Sequence, residues 1–447
     1  NNLDWEWKKY PVIRLDLNAV STNGGVETLK QSLRNLVKNA AICLNIELRG
    51  DLPSDQFCNL ILDVSRKYGE KTVVIVDEYD KPLLNTIDVP DIHIKMRDEL
   101  KSFYGVLKSS DPYLRFVFLT GVTKFAHVSI FSDLNHLKDI TLHPLYADLC
   151  GITQEELERD FVPEIDAVLQ EKNRDRETYL AELRRFYNGY RFSGKALTVY
   201  NPFGLLNHFA DGGTFSPYWY ETGTPTFLLK LIANQNINIL DLNDMRVAYE
   251  DFSKFAVETM KALPVLYQSG YLTITDYDDE LRQFTLDYPN IEVSSCFAKS
   301  LLEYNFQPSD EKARALYVKL PAAFFKGDVE GVMDALRSFF GTIPSEITTR
   351  LEYYYETAVH LVFTMLGMHC RSEVRIASGR IDTLVETKDY VYCFEFKLKG
   401  SVKQALEQID TKEYLLPWKG SGKTLFKIGV KFDHRRHNIG VWEFRKC

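Results

Sequence analysis

No stretch of eighteen or more apolar residues occurs in these 447 residues, so no helix is expected to span a membrane. Cysteine is scarce and scattered: Cys43, Cys58, Cys150, Cys296, Cys370, Cys393 and Cys447 are seven, an odd number, with no Cys-x-x-Cys. That supports neither a disulfide framework nor a zinc site, and the expected state is reduced thiols in the cytoplasm. The first residues, Asn1-Asn2-Leu3-Asp4-Trp5, contain neither a secretory leader nor an initiator methionine. The native N-terminus is therefore expected to lie upstream. Positive charge is not in excess. The net charge of −8 argues against a chain that coats nucleic acid along its whole length. Internal repeats and low-complexity tracts are also missing.

What is present is ordinary for a soluble globular protein, with 45% hydrophobic and 26% charged residues. The length suggests roughly two to four domains. The charge is uneven. Residues 351–447 hold 16 Lys+Arg against 12 Asp+Glu, an excess of +4, which leaves 38 against 50 for residues 1–350. A mild positive excess suits a domain that meets phosphates, although +4 is unremarkable in any domain.

The first 150 residues alternate strands with helices. Pro11 to Leu17 is strand-like, 26–47 and 54–68 have helical periodicity, and Val73-Val74-Ile75-Val76 is a buried strand. Residues 92–108 are helical and Arg115 to Leu119 form another strand. Such alternation predicts an α/β layer with a parallel sheet. From about 151 the chain turns helical and aromatic. A helix over 257–267, two strands between Tyr271 and Asp287 around the acidic turn 276–280, and a helix over 293–304 are compatible with a winged-helix module. The acidic tip suits a protein contact better than DNA phosphates. Residues 310–340 read as a helical connector. The expected domains are 1–150, 151–308, 309–345 and 346–447.

Two patterns carry chemistry. Val73 to Val76 runs into Asp77-Glu78, which is the form of a Walker B strand. A buried strand fixes such a pair at the carboxyl edge of the sheet, where open α/β sheets bind ligands. Asp77 would hold Mg²⁺ and Glu78 would polarise water, with Thr120 as a polar sensor one strand away. The bland alternative is two acids that merely end a strand. Gly420-Ser421-Gly422-Lys423-Thr424 imitates a phosphate loop, but the glycine due five residues before Gly422 is Pro417, and the stretch enters a strand rather than a helix. It reads as a polar turn.

The second pattern lies near the C-terminus. Residues 352–366 form an amphipathic helix with Tyr355, Val359, Val362, Phe363 and Leu366 on one face. Gly379 to Val385 and Tyr390 to Lys397 are strands joined by a short turn, followed by a helix over 402–415 and a strand over 425–432. The period of two puts Glu395 and Lys397 on one face and Phe394, Phe396 and Leu398 on the other. Burying a carboxylate and an ammonium on an apolar strand is costly without a purpose. Asp382 and Glu395 would hold Mg²⁺ (or Mn²⁺), and Lys397 would orient water and stabilise the transition state. Glu352, or Glu356 one turn later, could support the metal, and Gln408 could orient the site. The bland alternative is an exposed strand edge with a cross-strand ion pair.

These stretches together resemble bacterial proteins that carry an AAA-ATPase-like N-terminal domain and a C-terminal PD-(D/E)XK nuclease domain. The matching residues are Val74 to Leu84, Leu119 to Phe125, Phe131 to Asn135, Tyr187 to Tyr190, Glu221 to Pro225, Gln268 to Leu272, Gly379 to Asp382 and Phe394 to Lys397. The resemblance implies an α/β fold: an AAA-type parallel-sheet domain truncated at its P-loop segment, a helical and winged-helix-like middle region, and a nuclease-like α/β domain. It implies Walker B places for Asp77 and Glu78, a sensor place for Thr120, nuclease places for Asp382, Glu395 and Lys397, and favours Glu352 over Glu356. Such proteins carry a P-loop before the strand at 11–17, so ATP binding is expected only with that segment. The function implied is an ATPase-coupled, Mg²⁺-dependent nuclease acting on nucleic acid, DNA first, compatible with defence or mobile-element biology and with a homo-oligomer. The alternative is a non-cleaving nucleotide switch or interaction module with a relic nuclease fold.

Overall fold

The computed structural model describes residues 7–86, 89–122, 137–222, 226–242, 244–249, 261–341, 351–368, 371–377, 380–433 and 435–447. The side chains of 222, 351, 352, 368, 371–377 and 380–382 lie outside that description. So do Thr123 to Phe125, Phe131 to Asn135, Gly223 to Pro225 and Gly379, all of which the sequence comparison singled out, and the first residues of the helix expected over 257–267. The chain is mixed α/β and divides into two compact units. One comprises 1–140 and 247–269, the other 141–246 and 270–447.

The first unit is built on β1 (Val12–Asp16), β2 (Thr72–Asp77) and β3 (Leu114–Leu119), all parallel, in the order β1-β2-β3. Parallel neighbours need crossover connections. Here those are α1 (Val26–Cys43) with α2 (Pro53–Tyr68), and then α3 (Pro90–Ser109). Leu29, Leu33, Val37 and Ala41 recur every fourth residue and give α1 a single buried stripe. Proline at the first position of α2 wastes no backbone donor, and Gly69 in the left-handed region (φ 64°) ends it. Phe57 of α2 stacks on Phe103 of α3 at 4.9 Å between ring centroids, and Ile13, Leu15, Val74 and Val76 are buried in the sheet. Each such side chain contributes about 1.5–3 kcal/mol by leaving water.

The second unit begins with four short helices: α4 (Gln154–Asp160), α5 (Val162–Lys172), α6 (Arg176–Tyr187) and α7 (Pro202–Ala210). They close around Leu157, Ile165, Tyr179, Leu183, Tyr187 and Leu205. A Thr153–Glu156 capping box starts α4, and Asp175 and Asn201 cap α6 and α7. A short strand, β4 (Met245–Ala248), comes later in the chain. The hairpin of β5 (Thr273–Asp278) and β6 (Gln283–Asp287) follows. β5 runs through Asp278, so the turn begins later than the expected acidic turn at 276–280. The short helix Ala262–Gln268 falls in the first unit, while this hairpin falls in the second.

Next come α8 (Ile291–Phe306), α9 (Leu320–Lys326), α10 (Val329–Phe340) and α11 (Leu351–Met365). The C-terminal sheet has five strands: β7 (Arg371–Ala377), β8 (Arg380–Glu386), β9 (Tyr390–Lys397), β10 (Thr424–Asp433) and β11 (Asn438–Lys446). Their order is β11-β10-β9-β8-β7, and α12 (Val402–Thr411) crosses between β9 and β10. The β9–β10 pair is parallel and the other three are antiparallel. The expected order of helix, hairpin, helix and strand thus gains the outer strands β7 and β11. Both are edges with charged residues interleaved, so their apolar pattern is weak.

The N-terminus of α8 ties distant segments of this unit together. Asn290 caps the helix and donates its amide to Asn188 O (2.9 Å). Fully buried Glu292 accepts from the backbone N–H of Trp219 (2.6 Å) and of Tyr220 (3.2 Å). Burial pushes its carboxyl from 4.5 up to about 7, against the lowering effect of those two bonds. A folded value above the unfolded one favours the protonated form. The contribution of this group is therefore fully present below about pH 4.5 and is lost as pH rises through 7, about 3 kcal/mol for a shift of this size. Glu292→Gln keeps the acceptor oxygen and removes the charge. Urea unfolding at pH 5 and pH 8 should show wild type losing stability relative to this variant at the higher pH; parallel curves would refute the assignment.

Candidate active site

β9 builds the site by alternation. Tyr392, Phe394 and Phe396 form a stacked ladder on one face, 6.5 Å and 5.8 Å between successive rings. Phe363 of α11 packs on Phe394 (5.3 Å) and Phe396 (5.9 Å), and Tyr355 stacks on Phe432 of β10 at 4.2 Å. Val391 and Cys393 face the other way and pack with Val402, Leu406 and Ile409 of α12. The next two residues in that row are Glu395 and Lys397. The hydrophobic layers on both sides thus set an ion pair at the end of an otherwise apolar strand.

Glu395 is fully buried. Lys397 Nζ donates to its Oε1 at 2.6 Å and to Gln408 Oε1 at 2.7 Å. Because the ammonium has donors only, the Gln408 amide must turn its oxygen toward Lys397. That leaves Gln408 Nε2, a buried donor with no hydrogen-bond partner among the described residues. The Ser401–Gln404 capping box fixes the start of α12, so Ala405, Leu406 and Ile409 face the sheet and Gln408 reaches Lys397.

Asp382 stands directly opposite Glu395 in the antiparallel β8–β9 register. Its side chain lies outside the described residues, as does that of Glu352, which occupies the first turn of α11 one turn before Glu356. Among the described residues no three of His, Cys, Asp and Glu are grouped to hold a metal. The donor chemistry of this end of the sheet still suits a hard divalent ion, because a buried carboxylate has a second carboxylate residue across the ladder.

Gly429 is a contributor that the sequence reading missed. It is the β10 register partner of Glu395, and a Cβ there would come within 2.9 Å of Val402 O, 3.1 Å of Leu406 Cγ and 3.2 Å of Ala405 Cβ. The bare backbone lets α12 lie close on the sheet. A glycine inside an apolar strand was the available signal. The Gly420 to Thr424 stretch is a turn entering β10, and Lys423 Nζ donates to Glu386 Oε1 and Thr387 O, both at 2.8 Å. That lysine therefore serves the β8–β9 turn.

The other sequence-singled residues lie at the carboxyl edge of the first unit's sheet. Asp16 and Asp77 are register partners at the ends of β1 and β2. Thr120, just past β3, donates its hydroxyl to Asp77 Oδ1 at 2.6 Å, and Arg14 Nη2 lies 3.7 Å from Asp77 Oδ2. Glu78 has φ 55°, a left-handed conformation costly outside glycine, which turns the chain sharply off the strand. Burial and then the neighbouring Asp80 raise its carboxyl pKa. Asp80 was not singled out by role. It is fully buried and accepts from Val122 N–H at 3.1 Å, so it holds the segment that follows Thr120. Each of these side chains belongs to the first unit and each of the Glu395 group to the second.

Comparison with known proteins agrees with this division of labour. Residues 1–131 match the family described as "Predicted AAA-ATPase", and residues 350–442 match the "PD-(D/E)XK nuclease superfamily". A relative described as "Uncharacterized protein in vnfD 5'region", from Azotobacter chroococcum mcd 1, is 33% identical over 449 residues, which cover 97% of this chain and 83% of that protein. No solved structure matches.

Gly429→Ala tests the support of the site. The added methyl meets helix backbone, so a loss of about 1–3 kcal/mol is expected in urea unfolding, typical of overpacking. A variant as stable as wild type would show that α12 is not seated by this contact.

Proposed function

This chain belongs to the family that joins a predicted AAA-ATPase-like domain to a C-terminal PD-(D/E)XK nuclease superfamily domain, and from that membership we propose that it hydrolyses phosphodiester bonds of DNA with Mg²⁺ or Mn²⁺. The observation that carries the reading is the buried Glu395 bound to Lys397, itself bound to Gln408, with Asp382 across the ladder. A structural ion pair would not need a third polar group with an unused buried donor.

Asp382 and Glu395 are the residues that would hold the ion, with Glu352 in support. Such an ion, when bound, acidifies a coordinated water and neutralises charge on phosphate. Lys397 uses two of its three donor positions on Glu395 and Gln408. The third is left to orient the attacking water or to stabilise charge growing on a phosphoryl oxygen. Gln408 fixes the lysine and offers Nε2 to water or phosphate. In hydrolysis a water oxygen bonds to phosphorus, the bond to the leaving sugar oxygen breaks, and the water's proton ends on that oxygen. Asp77, Glu78 and Thr120 are proposed for Mg²⁺-ATP, the first two as metal and water ligands and Thr120 as sensor, on a polypeptide that also supplies a phosphate loop. The expected domain limits, 1–150, 151–308, 309–345 and 346–447, stand as part of the proposal.

Labelled single- and double-stranded DNA incubated with the purified chain and Mg²⁺ or Mn²⁺ should be cut. Asp382→Ala and Lys397→Ala should each lower the rate by about a hundredfold or more, the scale of removing metal or transition-state contacts. Cutting that survives both substitutions would move the activity elsewhere, and an inert wild type would defeat the reading for this chain.

A further inference from the structure

We propose that Lys431 is a second phosphate-binding position of this site, holding a backbone phosphate of the nucleic acid next to the one being cut. The inference rests on the nuclease reading and extends it to how the substrate is held.

The registers of the sheet arrange its polar residues in two transverse rows. One row contains Asp382 of β8 and Glu395 of β9, with Gly429 of β10 beside them. Two residues further along the strands, the next row contains Arg380, Lys397 and Lys431. Neighbouring strands lie about 4.8 Å apart, and two residues span about 7 Å. A row of basic positions thus runs across the strands beside the carboxylate row. In a parallel pair, register partners share a face, so Lys431 lies on the face of Lys397, the one that α12 covers.

Lys431 differs from Lys397 and Lys427 in that its ammonium has no partner among the described residues. Lys427, two positions earlier on the same face, is paired with Asp410 of α12. Lys397 is held by Glu395 and Gln408. The side chain of Lys431, half-buried, makes no ion pair or hydrogen bond among the described residues. Like charges side by side on adjacent strands are destabilising, and the fold gains nothing by leaving one uncompensated. Lys397 is already neutralised by Glu395, so an anion seated on Lys431, beside the phosphate at Lys397, compensates the remaining charge. A phosphodiester is the anion that this reaction brings.

The neighbouring strand is irregular beside this residue. Lys431 pairs with Val441 and Phe432 with Ile439, so Gly440 is an extra residue bulged out of β11 beside it. A Cβ on Gly440 would lie 3.0 Å from Asp433 Cβ and 3.4 Å from Lys431 O. Bulges bend a strand end and re-aim its side chains, often next to functional sites.

The test uses the full chain and a labelled duplex oligonucleotide. Lys431→Ala should raise KM about tenfold and leave kcat within about twofold, since a backbone contact is made equally in ground and transition states. Binding to the same duplex in an Asp382→Ala background, followed by anisotropy from about 50 to 200 mM salt, should lose about 0.9 from the slope of log K against log salt when Lys431 is removed. Lys431→Arg should restore both quantities. Lys427→Ala should change neither. Equal KM and equal salt slope in Lys431→Ala, with wild type cutting normally, would overturn this inference and leave the nuclease reading intact. A fall in kcat with unchanged KM would overturn it too. A wild type that neither binds nor cuts the duplex would overturn both.

Discussion

The second unit turns on one energetic constraint: the Glu395 carboxylate is fully out of water, and an unpaired charge there would be costly by several kcal/mol. The fold meets it with Lys397 at 2.6 Å, and Lys397 in turn needs Gln408 at 2.7 Å. Buried ion pairs often fail to repay their desolvation against well-packed apolar residues of the same volume. The proposed hydrolysis gives the trio a purpose that stability alone does not. The stacked aromatic layer beneath β9 and the close approach of α12 at Gly429 both serve to hold that trio in one geometry.

The first unit applies the same logic with a different sheet. All three of its strands are parallel, so their carboxyl ends open on one edge, and the chain places Asp16, Asp77 and Thr120 there. The Thr120–Asp77 hydrogen bond locks the acid to the neighbouring strand. Buried Asp80 then anchors the segment beyond Thr120 through Val122 N–H. Glu78 is turned by its left-handed backbone, and burial, then the neighbouring Asp80, raises its carboxyl pKa. Such an edge is where an α/β sheet meets ligands, whatever the identity of the helices behind it.

The elements carrying the chemistry were legible because periodicity and chemistry coincided. Val73 to Asp77 is an apolar run closed by an acid, and Tyr390 to Phe394 is an apolar run that passes into the alternation Phe394-Glu395-Phe396-Lys397, so β2 and β9 could be read within a residue or two. The edge strands β7 and β11 were not legible. Charged residues interrupt their apolar pattern, since an edge is half solvated and selects no clean alternation. The hairpin turn was placed too early for a similar reason: Asp276 and Asp278 look like turn residues, yet the strand continues through them.

By itself the sequence determined the α/β class, the two strand-borne acidic motifs and the pairing of Glu395 with Lys397 on one strand face, because each depends only on local spacing. Tertiary structure alone decided that Gln408 closes on Lys397, that Gly429 admits α12, that Asp80 holds the segment after Thr120, and that Lys431 lies in register with Lys397. These depend on strand register and on which helix crosses which strand. Contacts between residues far apart in the chain are set by the summed packing of whole layers, which no local pattern records.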